Sequence, residues 1–419
     1  MDKTFGRASG RRYDLDWLRV FGIYMLFPVH VAIVFSPLPF YHIRNSTVSL
    51  RMLLALAFIE PWIMPLFFVM AGWGMFQSLR FRGSRGFLKQ RVQKLLIPLL
   101  VGCAILGPPI KYLEVRSGFD ANYLSLCTST EFRHGFGPCI PASPPIAPPF
   151  NESFFEFWPT FFTQFDRFTW SHLWFLGYLF TFSVLYLPLF RRLMKTRHSF
   201  TRAGAAWVYL PMVPLLLIEI VLRPHWPGLQ NLYNDWANFA YFSTCLIAGF
   251  LLAKYPALEQ ALQREWKRAL GIYLGGMALR VLLGLRVYLG IGGVASPALW
   301  SVALVVASWG GVVALLGFAC SRLSHTNAVL DYLVESAYPV YFLHQVAVVG
   351  IGYGIIQLSL RIRAKYVLLL AASFTATLAV YHIIVRPILR SVFGMKPMTR
   401  KVGLTRGGRV TKLDARSKT

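Results

Sequence analysis

Arginine and histidine are costly in an apolar helix, and the stretch RYDLDWLRVFGIYMLFPVHVAIVF (residues 12–35) holds one of each in its apolar part. Ten residues separate Arg19 from His30. Eleven steps at about 1.5 Å each carry the chain about 16 Å, half a hydrocarbon core. They also make close to three turns, so both side chains share a face. A neutral imidazole at depth can take a proton near pH 7. A guanidinium nearer the membrane edge can place a donor or neutralise developing negative charge. The plainer alternative is a histidine that only bonds a neighbouring helix.

Other ionisable groups fall inside apolar runs. Glu60 precedes PWIMPLFFVMAGWG and reaches about the depth of His30, where it could orient the imidazole, bind a hydroxyl or pair with Arg280. Pro61 and Pro65 are expected to break that helix locally, and Gly72 and Gly74 to permit close packing. His172 and Trp174 open another apolar run at its outer end. Glu335, Tyr338, Tyr341, His344 and Gln345 punctuate a later one; all but His344 step by three or four and so share a face. Arg280 and Arg286 could recognise an anionic substrate group. Arg85, Lys89, Arg91 and Lys94, in RFRGSRGFLKQRVQK, would crowd cations at one membrane face. That fits the phosphates of a nucleotide-bearing cofactor, or simply the cation excess of cytoplasmic loops. Asp14 and Asp16 suit the amino end of a helix, and Asp16 could hold Arg19 three residues on.

The elements that must position these groups are helices in a bilayer. The chain of 419 residues is 56% hydrophobic and 14% charged, against about 25% for a soluble domain, with mean hydropathy +0.51. Apolar runs of spanning length recur throughout, and the alternating ten-residue segments of a membrane barrel are absent. The expectation is an all-α bundle of about ten spans, at 17–36, 48–78, 95–113, 172–190, 204–222, 236–253, 269–290, 298–319, 332–357 and 366–385. The third contains Pro108 and Pro109 and is open to a break. The first is read as a retained helix, since Arg19 and His30 would interrupt a signal core.

Lysine and arginine set the orientation. With both termini cytoplasmic, 30 of the 43 fall on inside segments and eight on outside ones. The net charge of +26 therefore has a topological origin and does not imply nucleic-acid binding. Residues 1–16 form an inner amino-terminal segment, 17–385 a transmembrane domain and 386–419 a basic inner tail. Residues 114–171 make one long outer loop, and loops of that length are usually functional. In it Cys127 and Cys139 could pair on an oxidising face or remain thiols. Aromatics between 154 and 170 are expected along the outer interface. Asn45 and Asn151 head glycosylation-type triplets. No metal-ligand spacing, phosphate-binding glycine loop or Gly-x-Ser-x-Gly turn is present, so no metal is expected.

Cations inside, a histidine at depth and aromatics outside suit moving a group from an inner donor to an outer acceptor. A proton-coupled transporter or flippase, with His30, Glu60 and His344 as a relay, would use the same charges. A structural membrane protein would make them helix glue.

Five segments in order resemble the integral-membrane acyltransferase 3 family: the Arg19–His30 spacing, MPLFFVMAGWG, RFRGSRGFLKQRVQKLLIP, SHLWFLGYLF and ESAYPVYFLHQ. With RRYDLDWLRV and FGMKP, the chain is most similar to the branch that succinylates periplasmic glucans. The resemblance implies a multi-pass cytoplasmic-membrane enzyme moving an acyl group, succinyl or acetyl, from acyl-CoA to a hydroxyl of an extracytoplasmic glycan. It places the CoA phosphates near Arg85 and Arg91 and makes His30 the base or acyl carrier. Arg19 would place the donor, and Trp174 with the outer loop would hold the sugar. Arg280 or Arg286 could meet a succinyl carboxylate. A homodimer is left open.

Overall fold

A computed structural model describes residues 11–38, 41–118, 150–164, 167–196, 204–226, 228, 230–289 and 296–388. Every regular element among them is helical: α1 (Tyr13–Val34), α2 (Leu50–Arg91), α3 (Ile97–Ile105), α4 (Gly107–Arg116), α5 (Phe154–Thr163), α6 (Trp174–Leu185), α7 (Leu187–Lys195), α8 (Ala205–Tyr209), α9 (Met212–Val221), α10 (Trp236–Lys254), α11 (Pro256–Tyr288), α12 (Pro297–Arg322), α13 (Ala328–Ile355) and α14 (Ile362–Val380). Six helical segments are long and apolar enough to cross a membrane, or seven if the bent α6–α7 pair is one span. This is a multi-pass membrane protein.

The expected ninth span, α13, is not among those six although it runs for 28 residues. Its polar groups dilute its apolar character, and three of them, Tyr341, His344 and Gln345, belong to the site described below. The third expected span is divided: α3 stops at Ile105 and α4 restarts at Gly107 with proline in its first turn. In α2, Pro61 and Pro65 do not break the helix; the non-helical residue is Gly83, at φ 65°. Its two limbs are tied across that bend by Ser78, whose hydroxyl donates to Gln90 at 2.7 Å.

Helix α1 touches α2, α12, α13 and α14, which makes it central. Glycine sets the tightest crossing. A Cβ on Gly72 of α2 would lie 1.9 Å from the Leu246 carbonyl of α10, and one on Gly249 would lie 1.9 Å from the Val69 carbonyl. The two backbones touch through these two positions. Gly74 has open space around it instead.

Aspartates at the start of α1 make ion pairs rather than side-chain caps. Asp16 meets Arg11 at 2.6 Å and Arg19 at 3.1 Å, and Asp14 meets Arg12 at 2.6 Å. Arg12 also reaches Glu259 at 2.8 Å and the Cys320 sulfur at 3.6 Å. Asp14, Glu259 and Cys320 are near enough together to ligate a cation, but the Arg12 guanidinium bonds all three. Cys103 and Cys245 are buried, as small apolar residues would be, while Cys320 is half-buried. Cys127 and Cys139 lie outside the described residues, as does the tail beyond Ile388. Asn45 is buried, with its amide bonded to Thr47 and Lys365, so it is not presented as a glycosylation acceptor. Helix α5 buries Phe157 and Phe161 and exposes Phe155, Trp158 and Phe162, an amphipathic aromatic helix suited to an interface.

Candidate active site

His30 lies one turn before the end of α1, closer to its carboxyl end than to mid-helix. Its Nδ1 is 3.1 Å from Nε2 of His344 on α13, and the rings stack with centroids 5.0 Å apart. His344 Nδ1 is 2.7 Å from the Tyr341 carbonyl. A carbonyl only accepts, so Nδ1 of His344 carries the proton. In a neutral His344, Nε2 then accepts from Nδ1–H of His30. That leaves the His30 Nε2 lone pair available as a base or nucleophile.

A third imidazole joins them. His172 stands 5.1 Å from the His344 ring, centroid to centroid, and its Nε2–H donates to the Phe342 carbonyl at 3.1 Å. Its Nδ1 is therefore a lone pair, buried and without a partner. Tyr341 ties the same strands of structure together by donating to the His172 carbonyl at 2.8 Å. Gln345 sits within reach of both His30 and Tyr41, and the Tyr41 ring lies 5.7 Å from His30. Gln345 Oε1 and the Tyr41 hydroxyl are both buried without hydrogen-bond partners. Buried polar atoms are rarely left unpaired. Such atoms could pair with N–H or O–H groups brought in by a ligand.

The other expected residues divide into three groups. Arg19 is exposed on α1, paired with Asp16, and within electrostatic range of Lys94. Lys94 is in the same range of Arg91 and Arg82. Arg82 and Arg91 line a cavity of about 300 Å³ with Gly74, Gln77, Ser78 and Gln90. Arg91 stacks on Phe87 at 4.7 Å and keeps a buried Nε without a partner. Arg85 and Lys89 are exposed and do not line that cavity. Arg82 was not singled out in the sequence, because it lies across the Gly83 bend from Arg91 and only the fold unites them.

Glu60 is exposed on α2 and meets Arg280 at 3.3 Å, whereas the contacts of His30 come from His344 and Tyr41. Arg280 and Arg286 both lie on α11, which packs chiefly on α12 rather than on α1. Trp174 is buried, edge-on to Tyr178 at 5.3 Å and packed with Phe68 and Phe242. It forms part of an aromatic core.

Sequence reasoning also missed a polar cluster beyond the end of α1. His42 bonds Glu114 of α4 through Nδ1 and the Ser171 hydroxyl through Nε2 at 2.8 Å. Lys111 donates to the other Glu114 oxygen at 2.6 Å. Glu114 and Lys111 are about 1% exposed. Burial alone would push the Glu114 carboxyl up, but the Lys111 charge and the hydrogen bonds from His42 and Lys111 outweigh it and hold it down at about 2.

Residues 12–385 match the family described as an acyltransferase domain. The chain belongs to this family, the acyltransferase 3 family, and is a membrane acyltransferase. Among characterised relatives it is similar to the glucans biosynthesis protein C of Escherichia coli strains O9:H4 (HS) and K12 (DH10B), 21% identical in each case. Each alignment covers 93% of this chain and 96% of the relative. No solved structure matches the chain.

Proposed function

We propose that this acyltransferase takes an acyl group, succinyl or acetyl, from acyl-CoA on the cytoplasmic side and delivers it to a hydroxyl of an extracytoplasmic glycan. The observation that carries this reading is the His30–His344 pair with unpartnered polar atoms around it, on the same helix as Arg19, which is in electrostatic range of Lys94 beside a cavity lined by Arg82 and Arg91. Phosphates of CoA would lie against Arg82, Arg91 and Lys94, with Arg85 and Lys89 at the rim. Arg19, near Lys94 at the entry of α1, would guide the pantetheine arm toward His30. The Nε2 lone pair of His30 then faces the acyl carbonyl or the hydroxyl that attacks it. The glucan-related name of the relatives supports a glycan acceptor. The lysine and arginine distribution supports ten spans with both termini in the cytoplasm of an inner membrane.

The test is a titration of full-length protein in nanodiscs with acetyl-CoA, succinyl-CoA and free CoA, beside Arg82→Ala/Arg91→Ala. Saturable binding that the double variant weakens tenfold or more supports the reading, and the tighter thioester names the donor. Well-folded protein that binds no CoA species overturns it in favour of a transporter.

A further inference from the structure

Outside the His30 centre, one cluster has the parts of a second reaction site. The order Ser171 Oγ, His42 Nε2, His42 Nδ1, Glu114 is that of a serine nucleophile, its base and the acid that orients the base. Each ring nitrogen faces the partner this chemistry needs. Lys111 occupies the far oxygen of Glu114, so the carboxylate is fixed and ionised.

Ser171 itself is held in a left-handed conformation, φ 48°, which is uncommon for a residue with a side chain and is seen at constrained functional positions. Its amide donates to Thr169 Oγ1 at 3.0 Å, which fixes the turn. It stands where the 3₁₀ turn Ser171–Leu173 and then α6 begin, so their aligned dipoles favour negative charge there. Unlike Glu114, Ser171 is partly exposed. The cluster adjoins the first site: Ser171 is the neighbour of His172, and the Tyr41 ring packs against both His30 and His42.

We propose that Ser171, His42 and Glu114 form a serine-type triad that carries the acyl group as an ester on Ser171 Oγ, between the thioester donor and the glycan. This rests on the acyl-CoA reading above and divides its single transfer into two. In the first step Ser171 Oγ attacks the thioester carbonyl, a C–O bond forms and the C–S bond breaks. The Oγ proton passes to His42 Nε2 and from there to the leaving sulfur, giving free thiol. In the second step a glycan hydroxyl attacks the Ser171 ester. Its proton passes to His42 Nε2 and then to Ser171 Oγ, which leaves as the restored serine. The base at Ser171 is then His42, while His30 stays at the acyl group of the donor, where the reading above puts it.

Two measurements on full-length protein in nanodiscs decide it. The first treats wild type with a fluorophosphonate probe and maps the adduct by peptide mass spectrometry. Labelling at Ser171, reduced tenfold or more in His42→Ala, is the expected result; no label at Ser171 of folded wild type overturns the triad. This arm needs no donor, so it stands even if no thioester binds. The second incubates protein with radiolabelled acetyl-CoA or succinyl-CoA. A covalent acyl adduct in wild type, absent from a Ser171→Ala variant that still binds CoA, supports the two-step route. Transfer to glycan by Ser171→Ala within about twofold of wild type overturns that route while leaving the acyltransferase reading intact. Failure of CoA binding in wild type would instead strike the earlier reading.

Discussion

The cavity at the α2 bend and the cluster beyond the end of α1 handle charge in opposite ways. At the bend, Arg82, Arg91 and Lys94 gather with no carboxylate paired to any of them among the described residues, since the aspartates at the nearby start of α1 are taken by Arg11, Arg12 and Arg19. Beyond the end of α1, Lys111, Glu114, His42 and Ser171 form a closed chain in which each charged or polar group has a partner. Unpaired cations around a cavity repel one another and gain from an anionic ligand. A paired network has less to gain from added charge, and its geometry is set before any ligand arrives. One region is built to bind and the other to orient.

The sharpest way to break this contrast is to remove the group between the two regions. His30→Ala should lower acyl transfer by about 10²–10⁴-fold with insertion and folding intact, measured by product formation beside a thermal melt. A variant that loses folding to the same degree as activity would make His30 structural.

The closed network should be the more sensitive to removal of one partner. Lys111→Met removes the ammonium from beside buried Glu114 and should cost about 3–5 kcal/mol, read from unfolding midpoints. The same network sets a pH dependence. A carboxyl depressed to about 2 from 4.5 stabilises the fold above pH 4.5, and that contribution is lost as pH falls toward 2. Melting temperatures of Glu114→Gln should be lower than wild type at pH 7 and converge on it in acid.

At the binding region, losing cations should relieve repulsion when no ligand is present. Arg82→Ala/Arg91→Ala should melt no lower than wild type without CoA, yet weaken CoA binding by about 10–100-fold, or about 1.4–2.8 kcal/mol. A marked fall in apo stability would mean these arginines are structural after all. The smallest effect belongs to an ordinary pair. Glu60→Gln should change stability by about 1 kcal/mol or less, because the Glu60 carboxylate is 63% exposed where it meets Arg280.

Much of the architecture could be read from the chain. Long apolar runs announce helices, and α1 and α13 were legible together with the polar residues His30 and His344 that they bring face to face. Depth along a helix was less legible, since α1 begins at Tyr13 and His30 therefore ends up near its far end. Glu60 could have oriented His30 or paired with Arg280; the fold selects Arg280, because rotation around α2 turns it toward α11, a fact of packing that a single helix cannot encode. The Ser171–His42–Glu114 arrangement left no periodic signal. Its members come from a loop, a helix end and a turn, separated by 72 and 129 residues from His42. Ser171 stood inside a recognised motif, SHLWFL, yet serine is too common to attract notice without its neighbours in space.

The reciprocal glycines of α2 and α10 have a mechanical consequence. Where each backbone lies against the other's carbonyl, there is no layer of side chains to slide or rotate, so these helices behave as a single beam. Around α1 the contacts are made by rings instead: Phe27 against His344 and Phe374, Tyr24 against Phe374, His30 against His344. Rings can flip rotamers and yield space. The beam supplies a fixed wall on the α2 side of α1, and any local widening comes from the ring-lined side.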